Sequence, residues 1–89
     1  MAGFRNNRDL RRVAFDCRAY QLDADINGIL VDLENSTNPE LIHRHFRRIG
    51  DMLEEYQELQ RDAIPVTTID VEFLKQVQAR LFDRYCEIH

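Results

Sequence analysis

Apolar side chains return every third or fourth position along three stretches of the chain, and two clusters of turn-forming residues separate those stretches. That spacing belongs to an α-helix, in which positions three and four apart share a face. The first stretch, about residues 8–34, carries two such rows. One is Leu10, Val13, Cys17, Tyr20, Ala24 and Val31; the other is Phe15, Ala19, Leu22, Ile26, Leu30 and Leu33. Two rows predict a helix with a wide apolar surface, able to touch two neighbours. The second stretch, about residues 39–63, holds Ile42, His45, Ile49, Met52, Tyr56, Leu59 and Ala63, widened by Leu41, Phe46 and Leu53. Its unbroken alternation of threes and fours predicts side-by-side packing against another helix. The third, about residues 69–87, holds Leu74, Val77, Leu81, Tyr85 and Ile88, broadened by Phe73 and Phe82. No stretch shows the period-two alternation of a half-buried strand.

The separating clusters are Asn35-Ser36-Thr37-Asn38-Pro39 and Ile64-Pro65-Val66-Thr67-Thr68. Each combines turn formers or a proline with residues that cap helices. Asn6 or Asn7 is suited to cap the first helix. Asn38 caps the second with Pro39 at its first position, where a missing N–H is harmless; Thr37 with Glu40 is the alternative. Thr67 or Thr68 caps the third. Gly28 falls inside the first helix at roughly 1 kcal/mol relative to Ala, and is expected to mark a close helix approach or a mild kink. The pattern predicts an all-α fold with one helical domain over residues 1–89. It is either a three-helix bundle or a long helical hairpin plus a third helix, with antiparallel neighbours.

A chain of 89 residues buries a modest share of its surface, so its own core is marginal and needs a staple or a partner. Cys17 and Cys86 are the two cysteines, and they share no metal-ligand spacing. They read as reduced packing thiols of a cytoplasmic protein, with a 17–86 bridge open only if the third helix returns alongside the first. Met1 to Asn7 lacks the apolar run of a signal peptide, and no stretch is long enough to span a bilayer. A partner subunit is the remaining staple, and a homodimer is expected.

Charge adds topology to this picture. Both long helices begin basic and end acidic. Arg5, Arg8, Arg11, Arg12 and Arg18 precede Asp23, Asp25, Asp32 and Glu34; Arg44, Arg47 and Arg48 precede Asp51, Glu54, Glu55, Glu58 and Asp62. This order opposes the helix macrodipole, which prefers acids first. Antiparallel pairing of the two helices accounts for it, since the basic start of each then lies beside the acidic end of the other. An antiparallel dimer would use the same pattern. The net charge of −4 argues against generic binding along a phosphate backbone.

Motifs for chemistry are missing from the sequence. His43 and His45 point in different directions on a helix and do not form a metal pair. His45 lies on the apolar seam and reads as a hydrogen-bonded core histidine. The three glycines, Gly3, Gly28 and Gly50, are isolated and make no phosphate loop. No catalytic residue, cofactor or metal is assigned. The expected function is a non-enzymatic protein–protein interaction module, a small regulator, adaptor or inhibitor. Its partner contacts are expected at Arg8, Arg11, Arg12, Arg44, Arg47, Arg48, Tyr20 and Tyr56, because Arg and Tyr are enriched among interface hot spots. Two further readings remain. One is a nucleic-acid-associated regulator using the Arg-rich helix faces. The other is a small helical enzyme with an arginine-lined pocket.

Overall fold

The computed structural model describes residues 7–88. They form three helices, α1 (Asn7–Asn35), α2 (Pro39–Arg61) and α3 (Val71–Ile88), with no strand among them. Asp25 meets Arg48 and Arg11 meets Asp62, so α1 and α2 run antiparallel. His43 faces Tyr85 and Phe46 faces Phe82, so α2 and α3 do too. The packing is that of a bundle in which α2 lies between its neighbours and packs most extensively on α3.

The bundle is long and thin, about 50 × 24 × 18 Å, with a radius of gyration of 14.9 Å. A compact chain of this length would give about 12 Å. Helix length explains the difference. The 29 residues of α1 run for roughly 43 Å at about 1.5 Å per residue, whereas α3 spans only about 27 Å.

Only one of the two apolar rows of α1 enters the core. Phe15, Ala19, Leu22 and Leu33 are buried, Ile26 and Leu30 pack against them, and Ile29 joins them although it belonged to neither expected row. The other row points outward. Leu10 is 50% exposed, Tyr20 66% and Val31 57%; Cys17 and Ala24 are exposed and Val13 is half-buried. The expectation that α1 touches two neighbours is therefore met on one side alone. Within this chain α2 and α3 both lie toward the Phe15 face.

The seam of α2 is buried at Ile42, Ile49, Met52, Leu53 and Leu59, with Phe46 and Tyr56 packed at its edge. The Asn38 side chain accepts from the N–H groups of Glu40 at 3.0 Å and Leu41 at 3.4 Å. It is the cap, in preference to Thr37. At the other end the helix stops at Arg61, and Ala63 is not part of it. Ala63 has φ 58. Its N–H donates to the Gln60 carbonyl at 3.0 Å, and the Ile64 N–H donates to the Leu59 carbonyl at 2.8 Å. This is a Schellman ending, with the left-handed position taken by alanine and the apolar clasp made by buried Ile64 and Leu59.

α3 begins two residues later than expected, and its cap is Asp70 rather than Thr67 or Thr68. The Phe73 N–H donates to Asp70 Oδ1 at 3.1 Å. Thr68 is used elsewhere: its hydroxyl donates to Asp16 Oδ1 at 3.0 Å and ties the second connection to α1. Asn7 is the first helical residue of α1 and does not cap it, and Asn6 lies outside the described residues. Arg84 donates to the Ser36 carbonyl at 2.9 Å and Arg80 pairs with Glu34 at 2.5 Å, which fastens α3 to the α1–α2 turn.

Two smaller expectations are corrected. Gly28 marks no close approach within the chain, since a Cβ there would meet nothing within 4 Å. The tight place is Gly50, where a Cβ would stand 2.9 Å from Gln78 Nε2 of α3. Cys17 and Cys86 are free and exposed rather than packed. They belong near opposite ends of the bundle, because α1 and α3 run in the same direction.

Candidate functional site

Most of the arginines expected to bind a partner are occupied inside the chain. Arg11 pairs with Asp62 at 2.8 Å, Arg18 with Glu55, and Arg48 with Asp25 at 2.9 Å. The three pairs recur at seven-residue intervals along both helices, so each is a step of one ladder across the α1–α2 interface. His45 extends it, with Nε2 2.8 Å from Asp32 Oδ2 and a side chain only 15% exposed. Arg8 reaches the end of α2 and donates to the carbonyls of Asp62 at 2.9 Å and Ala63 at 2.8 Å. A cation there complements the partial negative charge of a helix C-terminus. Arg12 turns back along its own helix to Asp16, 3.7 Å away.

Arg44 and Arg47 are different. Both are exposed on the outer face of α2, and neither makes an ion pair with another described residue. Beside them is an aromatic cluster in the α2–α3 groove. The His43 ring lies 6.4 Å from Phe46 and 5.4 Å from Tyr85, and Phe46 lies 6.0 Å from Phe82. Phe82 is 55% exposed. By its spacing alone Phe82 only broadens the α3 seam. The signal for the cluster was present in the three- and four-residue offsets of His43 and Phe46, and of Phe82 and Tyr85, but nothing local showed that the two pairs meet.

The two candidate tyrosines separate. Tyr56 sits at the core edge, its ring 6.4 Å from Phe15 and its hydroxyl engaged by Gln60. Tyr20 stands on the outer row of α1 between Cys17 and Ala24, away from the core. Of the eight residues expected to contact a partner, Tyr20, Arg44 and Arg47 thus remain uncommitted by internal contacts.

The cavity between α1, the second connection and α3 holds about 70 Å³. It is lined by Asp23, Thr68 and Asp70 together with apolar side chains, and no arginine reaches it. Arginines line an open surface groove of Glu40, His43, Arg44, Arg47, Arg48 and Asp51, and a more enclosed pocket of about 240 Å³ between α1 and α2, formed by Arg18, Gln21, Arg48, Asp51, Met52 and Glu55. Among the described residues no three His, Cys, Asp or Glu side chains gather to hold a metal ion. None of the described helices is long and apolar enough to cross a membrane.

Comparison with known proteins gave no match to a family model, a curated protein or a solved structure.

Proposed function

We propose that this chain is a non-enzymatic interaction module, a small regulator, adaptor or inhibitor that docks another protein through the outer face of α1. The observation that carries this reading is the outer row of α1, in which Leu10, Cys17, Tyr20, Ala24 and Val31 are exposed and Val13 is half-buried. Single exposed apolar residues are ordinary on protein surfaces, whereas a contiguous row mostly marks a contact. Tyr20 at its centre supplies the large amphipathic surface that interface anchors use. A homodimer belongs to the same reading, but its electrostatic motive is weakened. The basic and acidic blocks that would suit an antiparallel dimer are already matched between α1 and α2.

The test compares the intact protein with a Tyr20→Asp, Val31→Asp variant in affinity capture from the native host, read by mass spectrometry. Proteins retained by the first and lost by the second are the expected result, with unchanged helical circular dichroism in the variant. Identical retention profiles would remove α1 from the reading.

A second reading, association with nucleic acid, is favoured by Arg44 and Arg47, which are exposed and make no ion pair with another described residue. Against it, Asp51, Glu54 and Glu58 are exposed on the same helix and repel a phosphate backbone. Mobility shift with single- and double-stranded probes at low salt decides. A shift lost in Arg44→Ala, Arg47→Ala supports this reading, and no shift ends it.

A further inference from the structure

Two steps of the α1–α2 ladder border a pocket that neither of them fills. Arg18 and Gln21 of α1 and Arg48, Asp51, Met52 and Glu55 of α2 line about 240 Å³, room enough for a small amino acid. Met52 is buried and gives this pocket an apolar floor. The open groove over Arg44 and Arg47 has none, since every residue lining it is polar or charged.

The ladder engages these arginines without exhausting them. A guanidinium carries five N–H groups. Arg18 gives two of them to Glu55, from Nε and Nη2. Arg48 gives one, from Nη1 to Asp25 Oδ2 at 2.9 Å. The remaining N–H groups of both can meet a carboxylate, which guanidinium matches with its planar fork. Of the opposite sign, Asp51 is exposed and makes no ion pair with another described residue, so its oxygens are available to a cation. Gln21, also exposed, adds an amide that both donates and accepts.

The mixture of charges selects the ligand. A simple anion at the arginines meets Asp51 and Glu55 beside them, and a simple cation at Asp51 meets Arg18 and Arg48. A molecule that carries a carboxylate and an ammonium group close together satisfies both signs, and the repulsion excludes its singly charged relatives. We infer that this pocket is a binding site for a small amino acid. Its carboxylate takes the spare N–H groups of Arg18 and Arg48, its ammonium group takes Asp51, and its apolar side chain rests on Met52. The outer row of α1 plays no part, so this site and the docking face stand or fall separately.

Three probes of similar shape test the inference. Leucine carries both charges, leucinamide only the ammonium group, and isocaproate only the carboxylate. Each is titrated into the isotope-labelled full chain, and backbone amide shifts are followed by NMR. Leucine is expected to move the amides of Gln21, Asp51 and Met52 and to bind about tenfold or more tightly than either relative. That advantage should shrink with added salt. Asp51→Asn, which has no ion pair to lose, should bring leucine down to the level of isocaproate. Arg48→Lys keeps a cation for Asp25 but removes the fork, and should bring leucine down to the level of leucinamide. Melting temperatures close to that of the unaltered chain show that both variants are folded. A relative that binds as tightly as leucine, or leucine binding that Asp51→Asn leaves unchanged, overturns the amino-acid ligand. No movement of these amides with any probe at about 10 mM overturns the site itself.

Discussion

Arg48 Nη1 lies 2.9 Å from Asp25 Oδ2 across the α1–α2 interface, and stepping seven residues along each helix reproduces the contact at Arg18 with Glu55 and again at Arg11 with Asp62. The ladder orders the two helices antiparallel and sets their register. Each pair is partly exposed, so its coupling should be small, about 0.2–1 kcal/mol. A double-mutant cycle of Arg48→Ala and Asp25→Ala by urea denaturation should return that value, falling with added salt. Asp25→Arg should destabilise by about 1 kcal/mol, and Arg48→Asp in the same chain should recover most of the loss. A loss that the second change leaves untouched would show the pair to be incidental.

The two faces of α1 should respond in opposite ways to truncation. Phe15 is fully buried, and Phe15→Ala should cost about 3–5 kcal/mol. That is a large part of the roughly 5–15 kcal/mol that holds a small domain together. Tyr20 is five positions away on the outer row, and Tyr20→Ser should change stability by no more than about 0.5 kcal/mol. Thermal melts of both variants make the comparison. Similar losses at the two positions would mean that the outer row is covered in solution.

Ala63 holds a left-handed backbone at φ 58, where its Cβ crowds the following carbonyl oxygen. That conformation costs an L-residue roughly 1–2 kcal/mol, and glycine adopts it freely. Ala63→Gly should therefore stabilise the protein by about 1 kcal/mol, seen as a higher urea midpoint at unchanged slope. Destabilisation by this variant would contradict the Schellman ending of α2.

Gly28 sits in mid-helix with open space around the position of a Cβ. Gly28→Ala should add about 0.8–1 kcal/mol through helix propensity alone, measured in the same denaturation series. A loss would mean that another backbone approaches Gly28 in the free protein.

Helix content and most of the core were legible in the apolar spacing. The Phe15 row of α1 and the rows of α2 and α3 pack much as their periods predict, and Asn38 with Pro39 marks the start of α2 unaided. Boundaries were less legible. A capping site is chosen by which oxygen reaches the free N–H groups, and Thr68 lost that role to Asp70 because its hydroxyl found Asp16 across the bundle. Ala63 fits the seam of α2 by number, yet the chain must turn there toward Pro65.

The candidate site divides along the same line. The sequence by itself determined three helical rods and, through the order of its charges, the antiparallel meeting of the first two, because periodicity and charge blocks are properties of neighbours along the chain. Only the tertiary structure decided which arginines are spent inside, which row of α1 stays uncovered, and that His43, Phe46, Phe82 and Tyr85 share a groove. Those facts depend on how far each helix reaches past the next and on the side from which it is approached, and no local pattern encodes either.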